Sequence, residues 1–385
     1  MIRARSTLGP IALDVGTSGV KMVQLDHGGD RPVVAGMAYR PVSAGLSGSA
    51  RDQFVDDAVA TALKTCGFQG RRVVTCLQPA QFQIKSIRLP RMPWEEKAAA
   101  LEFEALDRFS FPDDRGRFQF VVAGDVRQGN ELKDELIVFG AGDSLVGGLI
   151  RRLESLQLEP VAIDAAPCAM ARSFARFLRR EEDAAAVNVF LDVGYSGSSL
   201  VITRGPEVAF VKVIDVGGAR FNEAVAQRMG TSAEQAAEVR LTAIEAAGRS
   251  RRKSDSEEHA APSTPDSVHE QVADAVRAPI EQLAREVQLC LRYFAVTFRG
   301  QRPASLTLVG GEAHEPSLCG LMGQITDIPC LVGDPMRGMG MAAATNAVRA
   351  WTLRPGWGVA VGLALRGSKW VGRNGAVRTV VQGAA

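Results

Sequence analysis

Leu13-Asp14-Val15-Gly16-Thr17-Ser18-Gly19 recurs as Leu191-Asp192-Val193-Gly194-Tyr195-Ser196-Gly197, six identities in seven at an offset of 178 residues. This duplication decides the fold. Each copy follows one apolar run (Ile11–Leu13, Val187–Leu191) and precedes another (Val20–Leu25, Ser199–Thr203), a strand-turn-strand pattern. Glycines admit positive φ and bring backbone N–H groups against a ligand without Cβ interference, while Asp at the strand end puts a carboxylate into the same space. Either copy alone reads equally well as an ordinary glycine hairpin. Two copies facing each other make a clamp for a phosphate and a metal.

Two glycine pairs extend the pattern. Gly310-Gly311 ends the β-rich run Ser305–Val309, a form taken where backbone approaches a base or an α-phosphate closely. Gly217-Gly218 follows a predicted strand, Phe210–Val216, and opens a helical pattern at Ala219–Met229. Its N-terminus either faces an anion or is a plain left-handed turn. Trp94–Phe109 reads as an amphipathic helix behind the breaker Leu89–Pro93, with Glu95 and Glu96 in its first turn. Phe118–Val126 and Leu132–Gly140 pair around Gln128-Gly129-Asn130, followed by a helix at Leu145–Leu156 and a strand at Pro160–Asp164. Together they form a module inserted in the first half. Residues 247–266 (AGRSRRKSDSEEHAAPSTPD) lack periodicity and read as a disordered loop whose Arg249–Lys253 run is solvated. Ala278–Phe298 reads as a long amphipathic helix, and Trp357–Leu365 as an apolar, glycine-containing segment.

Composition narrows the function. The chain has 385 residues, two domains at roughly 150 each. Its 45 Lys+Arg against 43 Asp+Glu leave +2, no basic field for nucleic acid, and 6% aromatics offer few stacking platforms. No run of 18 apolar residues exists, and Met1–Pro10 lacks the apolar stretch of a signal peptide, so we expect a cytosolic chain with no direct membrane insertion. Six cysteines without a CxxC pair and four histidines without ligand spacing argue against a zinc site or a disulfide framework.

With these residues in view, the chain resembles the actin, Hsp70 and sugar-kinase superfamily. Within it the resemblance is closest to the type IV pilus assembly protein PilM family, with the GspL cytoplasmic domain and FtsA as relatives. Beyond the two hairpins, the segments that carry it are FEALDRFSFP (Phe103–Pro112), LEPVAIDAAPCAMAR (Leu158–Arg172), IDVGGARFNEAVAQRM (Ile214–Met229), EQLAREVQLCLRYF (Glu281–Phe294) and GVAVGLALRG (Gly358–Gly367). The resemblance implies an α/β, actin-like (ribonuclease H-like) duplicated fold with a nucleotide cleft. Its halves would be 1–185, carrying an inserted subdomain at about 85–162, and 186–385.

It also implies ATP and Mg²⁺ as ligands. Asp14 and Asp192 would hold the metal through water; the turn Gly16, Thr17, Ser18 and Gly19 would bind β- and γ-phosphates, with Lys21 as a point charge. Gly194, Ser196 and Gly197 would mirror that turn, Gly217 and Gly218 would support it, Gly310 and Gly311 would pass beneath the adenosine, and Glu238 and Arg240 would meet the nucleoside. Glu104, with Glu102 second, would orient the attacking water, unless both are solvated helix acids. Glu312, after the glycine pair, would either crowd an α-phosphate or point outward. Hydrolysis would be weak at most. The partner would be a PilN-like bitopic protein whose cytoplasmic N-terminal peptide enters a groove at the insert, placing the chain peripherally at the inner face of the cytoplasmic membrane. Self-association is left open. The alternatives are an FtsA-like division protein, against which the tail Val377–Ala385 weighs by lacking helical periodicity, a sugar kinase, and a scaffold that has lost nucleotide binding.

Overall fold

In the computed structural model, residues 7–43, 45–254, 267–298, 303–342 and 355–368 are described. Both expected hairpins form. In the first half, β1 (Ile11–Val15), β2 (Gly19–Asp26) and β3 (Val33–Pro41) make an antiparallel meander. Helix α1 (Gly48–Thr65) then leads to β4 (Arg72–Leu77), parallel to β1. The inserted module consists of β5 (Gln83–Pro90), α2 (Trp94–Arg108), β6 (Gly116–Gln128) and β7 (Glu131–Gly142). Next come α3 (Asp143–Ser155), β8 (Glu159–Ala165) and α4 (Ala166–Ala175). The second half repeats the meander as β9 (Val187–Val193), β10 (Ser198–Arg204) and β11 (Glu207–Ile214), followed by α5 (Gly218–Met229), α6 (Ala233–Ser254) and α7 (Ser267–Phe298). The described chain finishes with β12 (Leu306–Val309), α8 (Leu318–Thr326), β13 (Cys330–Val332), β14 (Gly340–Met341) and α9 (Gly358–Ala364).

The sheets repeat as the turns do. One runs β14-β3-β2-β1-β4-β8 and the other β11-β10-β9-β12-β13. The two therefore share a core order in which a central strand ending in Asp-Val, β1 or β9, lies between its antiparallel meander and parallel strands. The third sheet, β5-β7-β6, belongs to the insert. Its alternating side chains serve two cores. Ile87, Leu89, Phe120, Leu136 and Val138 pack beneath α2, whereas Ala123, Ile137 and Phe139 turn the other way toward Val208 and Val211 of β11.

Several boundaries differ from the sequence expectation. The inserted sheet closes at Gly142, not at 162, because β8 pairs in parallel with β4 in the main sheet and the apolar run of Glu159–Ala165 is needed there. Residues 336–365 do not all belong with the second half. Strand β14 pairs with β3, Gly340 opposite Val33, and α9 packs into the first half's core with the fully buried Trp357. Contact there is so close that a Cβ on Gly362 of α9 would lie 1.6 Å from the Ala169 carbonyl oxygen of α4.

The disordered loop expected at 247–266 is also corrected. Helix α6 continues through 247–254, while 255–266 lie outside the described residues. Helix α7 starts at Ser267 instead of 278 and carries Pro279 within it. An interior proline costs about 3 kcal/mol. Val272, Val276, Ile280, Leu283 and Val287 are at most 2% exposed and recur at helical spacing on both sides of it. At about 1.5–3 kcal/mol each they outweigh the proline. The tail Val377–Ala385 lies outside the described residues.

Candidate functional site

The two hairpins have the same internal geometry. Gly16 N–H donates to Gly19 O at 3.0 Å, and Gly194 N–H to Gly197 O at 3.0 Å. Arg51 of α1 donates to Gly16 O at 2.9 Å, and Thr75 of β4 to Leu13 O at 2.8 Å, fixing the first turn. The second is braced by α5, whose Gly218 and Ala219 amides donate to Gly194 O and Tyr195 O at 2.9 and 2.8 Å. Those first-turn amides are therefore spent on protein carbonyls, and the expected anion-facing helix start is instead a buttress.

Positive φ is not what the turns need. None of Gly16, Gly19, Gly194, Gly197, Gly217 or Gly218 has it. Apart from Gly16, whose Cβ would meet only Gly19 O at 3.4 Å, they are short of room: a Cβ on Gly19 would strike the Tyr39 ring at 2.5 Å, and one on Gly217 would meet Gly194 O at 2.5 Å and Gly197 N at 2.8 Å. Gly310 does adopt φ +94, and its Cβ would lie 2.3 Å from Val193 O and 2.4 Å from Asp192 Oδ1. At Gly311 an added Cβ meets nothing within 4 Å.

The hairpin tips touch, with Thr17 Oγ1 3.2 Å from Ser196 Oγ. Behind them Lys21 pairs with Asp14, and the Asp192 carboxyl lies within its electrostatic reach. Lys21 stands opposite Asp14 in the ladder, its Nζ 3.9 Å from Asp14 Oδ2. Burial raises the Asp14 carboxyl above the ordinary range, with Lys21 and a hydrogen bond from Gln78 opposing. Burial pushes Asp192 up to about 6, with Lys21 opposing and the Asp14 charge adding to the rise. Gln78, at the end of β4, donates from Nε2 to Asp14 Oδ1 at 2.9 Å. Sequence reading missed Gln78, because its partner lies 64 residues away and its own neighbours show only a turn.

These residues fit a nucleotide with a divalent cation. Two carboxylates around one ammonium leave an excess negative charge, which a hydrated Mg²⁺ would neutralise. Among the described residues, the Thr17, Ser18, Tyr195 and Ser196 amides donate to no protein acceptor, so the turns retain donors for phosphate oxygens. No cluster of three or more His, Cys, Asp or Glu side chains suited to hold a metal directly occurs among the described residues.

Three expected site residues lie elsewhere. Arg240 is buried and internally committed: Nη2 donates to Glu312 Oε2 and Glu315 Oε2, both at 2.7 Å, and Nη1 to Asn222 Oδ1 at 2.7 Å. It is a tie between α6, α5 and the segment after β12, not a free nucleoside contact. Its grip also decides Glu312, whose carboxylate lies against Gly218 and is ion-paired with Arg240. Glu238 is exposed on α6. Glu104 lies on α2, ion-paired with Arg108 at 3.2 Å, and no bond joins it to the Asp14 cluster. Glu102 lines a different space.

That space is a groove of about 590 Å³ between the insert and the first-half sheet. Leu101, Phe118 and Phe139 form one wall, and Val146, Ile150 and Ile163 the other. At its end Asp164 is held by Arg172 at 2.8 Å and Arg366 at 2.7 Å, which keep its carboxyl low despite burial. The groove and the cleft between the hairpins flank the end of β4. Leu77 faces the groove, and the next residue, Gln78, reaches Asp14.

Residues 12–244, more than half the chain, match the family described as type IV pilus assembly protein PilM. Among solved structures, the PilM-PilN type IV pilus biogenesis complex is similar at 24% identity and a TM-score of 0.74, over 94% of this chain and 98% of that one. Ethanolamine utilization protein EutJ from Carboxydothermus hydrogenoformans is similar at 15% identity and a TM-score of 0.52, over 93% of this chain and 89% of that one. No curated protein matches the sequence. The fold is actin-like. No helix among the described residues is long and apolar enough to cross a membrane.

Proposed function

The chain belongs to the PilM family of type IV pilus assembly proteins, and from that premise we propose that it is a nucleotide-binding component of an inner-membrane assembly platform. ATP with Mg²⁺ binds between the two hairpins. The single observation that carries this reading is the Asp14–Lys21 pair with the Asp192 carboxyl in the same electrostatic field, framed by two turns of the same geometry with unspent amides. The metal supplies positive charge that lets a polyphosphate approach two carboxylates. The protein's own residues do the rest. Gln78 holds the Asp14 carboxylate in place, Lys21 offers a point charge, the turns donate backbone hydrogen bonds, and Gly311 leaves open space beside Gly310. Hydrolysis is at most slow, since Glu104 lies half-exposed on α2 with Arg108 as its partner and no bond joins it to the Asp14 cluster.

The second ligand is the cytoplasmic N-terminal peptide of a PilN-like membrane protein, held in the groove between the insert and β8. Its apolar walls and charged end suit a short amphipathic segment. Through that peptide the protein is held peripherally at the inner face of the cytoplasmic membrane. The degenerate-scaffold alternative drew on Glu312 and on the lack of a clear catalytic residue; the Arg240 clasp on the Glu312 carboxylate removes the first of these motives.

Calorimetric titration with Mg²⁺-ATP and with a synthetic PilN-type N-terminal peptide, each alone and then together, tests this reading. We expect both to bind, each altering the other's affinity by the same factor. Peptide binding with no ATP signal would leave a scaffold. ATP binding with no peptide signal would remove the platform role.

A further inference from the structure

Two helix faces remain uncovered, and they match in length and oppose in character. On α2, Phe103 is 78% and Leu106 67% exposed. They lie on a stripe with Glu96, Ala99 and Asp107, and Glu95 and Glu102 are exposed beside it. On α7, Leu289 is 55% and Val296 82% exposed, in a stripe with Arg285 and Arg292. Each stripe spans eleven residue steps, Glu96 to Asp107 and Arg285 to Val296, about 16 Å of helix. Large exposed apolar side chains flanked by charge mark an interaction surface more than a solvated face. Arg285 is paired with Glu281 at 3.7 Å, so the α7 stripe is basic chiefly at Arg292. The acidic stripe and the basic stripe are complementary.

They cannot meet within one molecule. Helix α2 covers the Ile87 and Leu136 face of the inserted sheet, whereas Phe298 at the end of α7 packs on the opposite, Ile137 face. We propose that the α2 stripe of one molecule docks on the α7 stripe of a second copy of this chain. The contact is heterologous: two different patches meet, so each copy keeps one free patch of each kind and further copies can add. Phe103, Leu106, Leu289 and Val296 do not line the peptide groove, whereas Ala99 and Glu102 at the edge of the α2 stripe do, so the contact borders the groove without filling it.

Sedimentation of the full chain up to about 300 µM is the test, since two short helix faces make a small and weakly held interface. The wild type should rise past dimer mass with concentration. Phe103→Asp and Val296→Asp should each be monomeric. Mixed in equal amounts, these two variants should form a heterodimer and nothing larger, because one supplies an intact α7 face and the other an intact α2 face. Asp107→Arg combined with Arg292→Glu should restore association lost in either alone. A wild type that stays monomeric throughout, a mixture that does not complement, or a dimer lost in only one of the two Asp variants would each overturn the proposal. Circular dichroism and peptide titration of each variant establish that it is folded, and a failure of nucleotide binding would leave the outcome of this test unaffected.

Discussion

Replacing Asp192 with Asn should make the ligand-free protein more stable at neutral pH, not less. Burial, with the Asp14 charge adding to it, lifts the Asp192 carboxyl from an ordinary 3.8 to about 6. Between these values the folded chain holds a proton that the unfolded chain has released, so stability falls as pH rises through the window, and the loss is complete above about pH 6. At about 1.4 kcal/mol per pH unit the full difference is about 3 kcal/mol. Asp192 is half-buried beside the cleft, and solvent screening lowers the figure, so we expect about 1–3 kcal/mol. Asn keeps the size and cannot ionise. Calorimetric melting of wild type and Asp192→Asn without nucleotide should give similar midpoints near pH 4 and a variant advantage of a few degrees at pH 7. Saturating Mg²⁺-ATP should then reverse the order, since a ligand at 100 times its Kd adds about 2.7 kcal/mol to the wild type alone. A variant no more stable than wild type at pH 7, or an advantage equally large at pH 4, would refute the shared-burial account of this pair.

Other substitutions separate support from binding. Gly310→Ala, at φ +94 with Val193 O 2.3 Å from the new Cβ, should cost more than about 2 kcal/mol in denaturant titration, whereas Gly311→Ala should leave stability unchanged and weaken ATP binding in calorimetry. Arg240→Met should destabilise by about 3–5 kcal/mol by stranding Glu312 and Glu315, read as a lowered urea midpoint. Gln78→Ala should lower Mg²⁺-ATP affinity by roughly tenfold, the worth of a hydrogen bond to a carboxylate, with little change in melting temperature. Val161→Arg, at a 38% exposed position in the groove, should abolish peptide binding while ATP binding and melting stay as in wild type.

Local pattern carried what was legible in the sequence. The LDVG turns, the helix behind Pro93 and the hairpin around Gly129 are encoded in contiguous residues, and each forms where expected. What escaped was long-range. Strand β14 is two residues long and pairs with Val33 and Val34, so no periodicity announces it. Strand β8 reads as a continuation of the insert until its partner β4 is known. The expected helix begins at Ala278, and only the buried side chains upstream, Val272 and Val276, show that it runs through Pro279. At the site, Asp14, Lys21 and Asp192 were identifiable by motif. The Gln78 bond and the Arg240 clasp were not, since each depends on a partner more than 60 residues away.

The return of β14 and α9 to the first half sets an order of folding. The second half's sheet is contiguous from Val187 to Val332 and can close once that stretch is made. The first half begins earlier and finishes later, because Trp357 and the α9 side chains fill its core. From the end of α4 to the end of α9 is about 190 residues, or about 10–40 s of synthesis. Through that interval Ala12, Val23, Leu25 and Val74 present an open apolar face on a nascent chain. The segment synthesised first is thus the last to be sealed, which makes this face the place where a chaperone would be needed and where aggregation during expression would start.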